Sequence, residues 1–385
     1  MSCFHSLDPE GLTKVAIASP TCSRTPLPLL GEQNIDPYWL DRHLEAKSHI
    51  PSLGGYSFAR GCAGPHGFIL TPGRQIVESP DVVVSRWLKD RIEEQIAACD
   101  ENSAVFRALR GGGENVRFPG TLVHAIKPGW QVYGHWLVDI LPALWMYRRL
   151  QIHRPMLCNG AKILLPRGIP NWALSLAEMA VNLHEEECVF FDEQRELMHP
   201  EMLIVPSLLR IENGFSEIFN DLIQNCVRRF GHLRNGHPRR IFVYRGSRGS
   251  FMPRHVVNEE DLVRAAVEFG FVAVDPAALP WPEQVALFAG AEAIIGPFGS
   301  GMHNTIFSSH RAVSLVLTNS NMNWIQSGIS ALRQQTMSYL WPDDENHDAN
   351  QHTYRYDLER FKDKVREMVA FLEAKREQET YITSA

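Results

Sequence analysis

The sequence lacks most of the features that classify a protein at a glance. Its seven cysteines (Cys3, Cys22, Cys62, Cys99, Cys158, Cys188, Cys226) are scattered and odd in number, and none forms a C-x-x-C pair. That excludes a disulfide scaffold or a zinc ribbon and fits reduced thiols. No apolar run approaches the roughly 20 residues of a membrane span, and residues 15–18 are too few even for the core of a secretory leader. Walker A, H-E-x-x-H and G-x-S-x-G patterns are absent, which removes the common NTPase, zinc-protease and hydrolase signatures. A G-x-G-x-x-G fingerprint is missing too, which argues against tightly bound NAD. An excess of positive charge is also lacking. Net charge is −6 and the pI is near 6.2, the wrong balance for a general nucleic-acid binder. Lysine disappears between Lys162 and Lys362, so arginine supplies every strong cation there.

What is present reads as globular. Apolar residues make up 44% and charged residues 21% of 385 positions, enough for a sizeable core and long enough for two domains. Residues 1–35, rich in Pro, Ser and Thr, read as an irregular arm. Glycine-separated apolar runs over 54–85 predict β-hairpins, and 86–99 a short helix, with a flexible break at 111–113. From residue 121 onward strands alternate with helices, so the fold class is α/β with parallel sheets. The Gly-, Asn- and His-rich stretch 231–238 marks a linker. The boundaries are therefore 1–235 for an N-terminal α/β domain, 236–350 for a C-terminal Rossmann-like domain, and 351–385 for a closing helix.

In such sheets ligands bind beyond the carboxyl ends of the strands. The residues just past the C-terminal domain's strands are Arg245, Asp275, Gly296-Pro297, Thr318-Asn319 and Trp341. The run GPFGSGMHN at 296–304 follows an apolar strand and opens a helix. Gly299 and Gly301 flank Ser300, so backbone can approach a ligand closely, and free N–H groups with the helix dipole favour an anion. His303 and Asn304 add donors. The alternative is a tight strand–helix turn capped by serine. Arg245, Arg248 and Arg254, then Asn258-Glu259 at a helix start, form a second cluster. Arginines at a strand end can fork onto phosphate oxygens, although exposed arginines usually do nothing specific.

The run YGHWLVDILP at 133–142 sets His135 and Asp139 four residues apart on one face of a helix that is apolar nearly all round. A buried imidazole and carboxylate need partners. In a cleft, His135 could act as a base oriented by Asp139, or Asp139 could be the base itself. The structural alternative is a pair that pins the helix. Pro142 predicts a kink. Asp343-Asp344-Glu345 could hold a metal, but its polar surroundings read as a solvated turn.

At these residues the sequence resembles glycosyltransferase family 61. The family's aromatic-x-His-Trp-Leu-x-Asp-x-Leu-Pro block stands at 133–142. Its Arg…Arg-x-x-x-Asn-Glu block stands at Arg245…Arg254 and Asn258-Glu259, and its glycine block at 296–304. The resemblance implies a GT-B-like architecture of two Rossmann-like domains facing across a cleft, with the 351–385 helix returning to the N-terminal domain. It implies inverting transfer from a nucleotide sugar, UDP foremost, to a glycan, lipid-linked glycan or other hydroxyl acceptor in polysaccharide (capsular) biosynthesis. His135 and Asp139 would be catalytic. Arg245, Arg254, Asn258, Glu259, Gly299, Ser300, Gly301, His303 and Asn304 would bind the donor. No D-x-D occurs, so no metal or other cofactor is expected. The expected location is cytoplasmic, at most peripheral at the inner face of the plasma membrane, with no nucleic-acid partner. Phe298 replaces the family's histidine and Ser300 its alanine. That departure supports a second reading, a catalytically silent sugar-nucleotide or glycan-binding partner in a polysaccharide assembly complex.

Overall fold

A computed structural model of the chain describes residues 4–6, 12–64, 69–70, 76–79, 81–82, 96–100, 103–106, 114–193, 195–245, 254–320, 322–348 and 351–384. Contacts divide the chain into unit 1, residues 1–22 with 48–222, and unit 2, residues 23–47 with 223–385.

Unit 1 is built on four parallel strands: β1 (Glu114–Val123), β2 (Lys162–Pro166), β3 (Cys188–Phe191) and β4 (Glu196–Pro206). Their order in space is β4-β1-β2-β3. Helices Leu141–His153 and Asn171–Val181 make the crossovers between β1 and β2 and between β2 and β3. The KILLP run of β2 is buried at every position but the first, as an apolar strand covered on both faces should be. Beyond β4 the sheet turns antiparallel, through Leu53–Ala59 and then Leu12–Ala18. Phe58, Leu122, Leu164, Phe191 and Leu203 pack one core.

Two local expectations fail here. Residues 12–18, within the arm read as irregular, form a seven-residue strand. Val15 and Ile17 are half-buried while Lys14 and Ala16 face out, a two-residue alternation that the flanking prolines and serines obscured. The helix read over 86–99 ends in a strand, Ile96–Asp100, paired with Ser103–Phe106. Residues 83–95 and the glycines at 111–113 lie outside the described residues.

Unit 2 holds five parallel strands: β5 (Arg240–Val243), β6 (Val272–Val274), β7 (Ala293–Pro297), β8 (Val313–Leu317) and β9 (Thr336–Leu340). Their order is β6-β5-β7-β8-β9. The division between the units falls inside the helix Phe219–Phe230, ahead of the linker read at 231–238.

Two segments belong to unit 2 that the sequence reading placed elsewhere. Residues 23–47 dock on β9. The Leu30 N–H donates to the Met337 carbonyl at 2.8 Å, and Ser338 Oγ donates to the Leu30 carbonyl at 2.9 Å. His43, in the helix Pro37–Leu44, is fully buried, and its two ring nitrogens engage the Leu27 carbonyl and Ser327 Oγ, each at 2.8 Å. The closing helix, Leu358–Ser384, expected to return to the N-terminal domain, instead puts Phe361, Val365, Met368 and Leu372 into the unit 2 core with Phe242 and Leu315. Their spacing of four, three and four residues is one helical stripe, and a stripe names no partner. The acidic run read as a solvated turn enters a strand, Asp344–Asp348, paired with Gln351–Arg355.

Candidate functional site

Each sheet has a point where the chain, having moved outward from its first strand, returns to that strand's other side. Ligands favour the carboxyl ends of the strands there. In unit 1 that point lies between β1 and β4; in unit 2 it lies between β5 and β7.

In unit 1 the chain leaves β1 through His124–Gly129 and enters a helix at Tyr133. This helix is not uniform. The Leu141 N–H reaches back five residues to the Trp136 carbonyl, and Trp136–Ile140 form a π-turn. Pro142 follows at once; having no N–H, it cannot close the ordinary bond to Val138, so the kink expected there takes the form of a wider turn. His135 Nδ1 meets Asp139 Oδ2 at 2.8 Å. Arg210, in the short strand Arg210–Ile211 that follows β4, places Nε and Nη2 on Asp139 Oδ1 at 2.9 and 2.7 Å. Asp139 thus sits across the switch point, its side chain 1% exposed.

Burial alone would raise the Asp139 pKa. The Arg210 charge and the His135 hydrogen bond outweigh it and hold the carboxyl below its ordinary value. An ionised carboxylate can only accept, so His135 Nδ1 donates this bond, and Nε2 is the ring nitrogen left for a ligand. The His135 side chain is 34% exposed, and Nε2 makes no hydrogen bond among the described residues. Asp139 already accepts three hydrogen bonds and has almost no solvent contact. Of the two candidate bases, His135 has the geometry.

Behind this pair lie residues the sequence reading missed. His124 and Lys127 are buried, and among the described residues neither the imidazole nitrogens nor Nζ finds a hydrogen-bond partner. Burial, and then the Lys127 charge, push His124 down to about 3. Burial lowers Lys127 to about 8, against the opposing pull of Asp139 and Asp81. Arg210 was missed as well. Nothing local marks Arg210, since it meets Asp139 only through the pairing of β1 with β4. The one available signal for the three residues was their place just past two apolar runs.

In unit 2, Arg245 follows β5 and the glycine run follows β7. A β-carbon on Gly299 (φ +149) would lie 3.3 Å from Arg245 Nη1, so the guanidinium lies close to this backbone. Arg245, Gly299, Ser300 and Gly301 are half-buried at that edge. The other expected donor residues are committed to the protein itself. Glu259 accepts the Arg245 N–H at 2.9 Å. Asn258 donates to the Tyr356 carbonyl at 2.8 Å and accepts its N–H at 3.2 Å. Asn304 is buried and donates to Gly301 O and Gln284 Oε1, at 3.2 and 3.4 Å. His303 is buried at 7% exposure. The helix opened by the glycines is a six-residue 3-10 helix, Met302–Phe307, too short to carry the dipole assumed for it. Phe298 packs inward at 6% exposure. Arg254 starts the strand Arg254–Val256; its side chain and Arg248 lie outside the described residues. Among the described residues, no group of three or more His, Cys, Asp or Glu is placed to hold a metal, and no helix is long and apolar enough to cross a membrane.

The family model Glycosyltransferase 61 matches residues 133–315, from the start of the His135 helix to within β8. The match, over somewhat less than half of the chain, supports glycosyltransferase family 61. The matched stretch takes in His135, Asp139, Arg210, Arg245 and the glycine run, and leaves out His124 and Lys127. No curated protein matches the chain. Among solved structures, a flavodoxin-like domain from Synechococcus sp. is similar over 35% of this chain and 99% of its own, at 9% identity and a TM-score of 0.25. That likeness is too slight to define a fold.

Proposed function

We propose that this chain is an inverting glycosyltransferase of the GT-B type. It moves a sugar from a nucleotide donor, UDP-linked in first place, to a hydroxyl of a glycan acceptor in polysaccharide biosynthesis. The observation that carries the reading is the relay Arg210–Asp139–His135, which leaves one nitrogen of a partly exposed imidazole without a hydrogen bond among the described residues. His135 Nε2 takes the proton of the acceptor hydroxyl as its oxygen bonds to the anomeric carbon. The bond from that carbon to the donor phosphate breaks, its electron pair leaving on the diphosphate. One displacement inverts the anomeric centre. Arg245 and the amides of residues 299–301 offset the leaving charge, with no metal or other cofactor in the scheme. The protein works in the cytoplasm or at a membrane surface.

The test is a single variant. Asp139→Asn keeps UDP affinity, while transfer falls by about 10²–10⁴-fold, since the imidazole loses its orienting acceptor. Unchanged turnover would return the pair to a structural role. A second reading is favoured by one observation, the buried Phe298 where the family has histidine: a silent sugar-nucleotide or glycan binder. It predicts UDP-sugar affinity with no turnover in the wild type.

A further inference from the structure

Trp172 is the first aromatic residue after β2, and its indole is 40% exposed. It is not stranded on the surface. Its ring stands edge-on to Tyr133 at 6.1 Å and to Trp136 at 6.2 Å, with interplanar angles of 62° and 76°. These two rings bracket His135 in sequence, so the exposed indole is braced against the turn that carries His135. Trp136 is tied in turn to the Trp130 carbonyl at 2.6 Å, and Trp130 donates to the half-buried Glu193 carboxylate at 3.1 Å. An exposed tryptophan costs hydration that the fold could have avoided by turning it inward; held rigidly by other rings, it is a flat apolar surface.

We infer that Trp172 is the acceptor-sugar platform of this protein: a neutral pyranose ring stacks its C–H face on the indole and presents a hydroxyl to His135. The inference rests on the transferase reading above. The chemistry of the surroundings selects the occupant. His135 Nε2 and the Glu193 carboxylate accept hydrogen bonds, which suits hydroxyl donors. The cations at this switch point, Lys127 and Arg210, are buried at 1% and 5% exposure, so a phosphorylated or carboxylated acceptor finds no exposed counter-charge from them. Trp172 touches substrate without taking part in bond making, and so sets acceptor affinity and ring selection.

The experiment uses the full chain and four neutral probes: maltohexaose, cellohexaose, xylohexaose and chitohexaose. Saturation-transfer NMR identifies which probe binds the wild type, and titration gives its affinity. Trp172→Ala weakens that probe by about tenfold or more, and Trp172→Phe keeps most of the affinity, because stacking needs a ring rather than an indole N–H. UDP affinity and melting temperature, read on the same samples, stay at wild-type values. Failure of every probe to bind the wild type overturns the inference, as does full affinity in Trp172→Ala. The transferase reading fails separately: sugar binding through Trp172 with no turnover of any UDP-sugar sinks transfer and leaves the platform standing. Turnover with an indifferent Trp172→Ala does the reverse.

Discussion

Gly129 and His135 interlock: a β-carbon on Gly129 would fall 2.4 Å from the imidazole Cδ2 and 2.8 Å from Nε2. Gly129 also sits at φ +82, in the left-handed region that other residues enter at a cost. The glycine is therefore what lets the ring lie over the turn, its Nδ1 toward Asp139. Gly129→Ala should displace His135 and lower transfer as far as loss of the imidazole does. The backbone strain should cost about 1–3 kcal/mol. Turnover of a UDP-sugar and urea unfolding, measured together, check both; an alanine variant with wild-type turnover would show that the ring position does not matter.

Arg210→Met leaves the Asp139 carboxylate buried, with His135 as its remaining hydrogen-bond partner among the described residues and Lys127 the remaining cation near it. An orphaned buried charge costs about 3–5 kcal/mol, and urea midpoints should fall accordingly. Arg210→Lys restores charge but not the two-pronged grip of Nε and Nη2 on one oxygen, so its recovery should be partial. Full recovery in the lysine variant would mean that charge alone holds the site.

Stability should decline from pH 6.5 toward pH 4. Burial holds His124 at about 3, and burial also lowers His43 to about 4 despite its bond to Leu27. Both are neutral in the fold, whereas the unfolded chain takes up a proton on each below its ordinary value of 6.5. Folded pKa values below the unfolded ones mean that stability is lost as pH falls through this window, by about 1.4 kcal/mol per unit for each histidine. His124→Leu should flatten the slope by about half in thermal melts; an unaltered slope would mean that His124 is not held neutral.

Arg245→Ala should weaken UDP binding by roughly tenfold or more, with a smaller loss for uridine, which lacks the diphosphate. Isothermal titration reads both. Equal losses for the two ligands would place Arg245 away from the phosphates.

EDTA should leave transfer intact if arginine and backbone amides carry the leaving charge. A rate abolished by chelation and restored by Mg²⁺ or Mn²⁺ would require a metal in the scheme.

The alternation of strands and helices after residue 121 was legible because both obey simple periodicities. The strand at 12–18 was hidden by flanking prolines and serines. The partner of the closing helix was hidden because its stripe fits any core. His135 and Asp139 could be read as a pair because four residues along a helix are neighbours in space. Arg210 could not, because it lies 71 residues from Asp139 along the chain.

Local order thus came from the sequence: apolar periodicity, glycines where backbone must pass closely, a histidine and an aspartate one turn apart. Only the tertiary structure decided which groups face which. Parallel pairing of β1 with β4 brings Arg210 onto Asp139, and the return of the chain beside β5 brings Arg245 onto Gly299. The physical reason is that hydrogen bonds and charges act over a few ångströms, and it is strand order, not chain distance, that sets those separations.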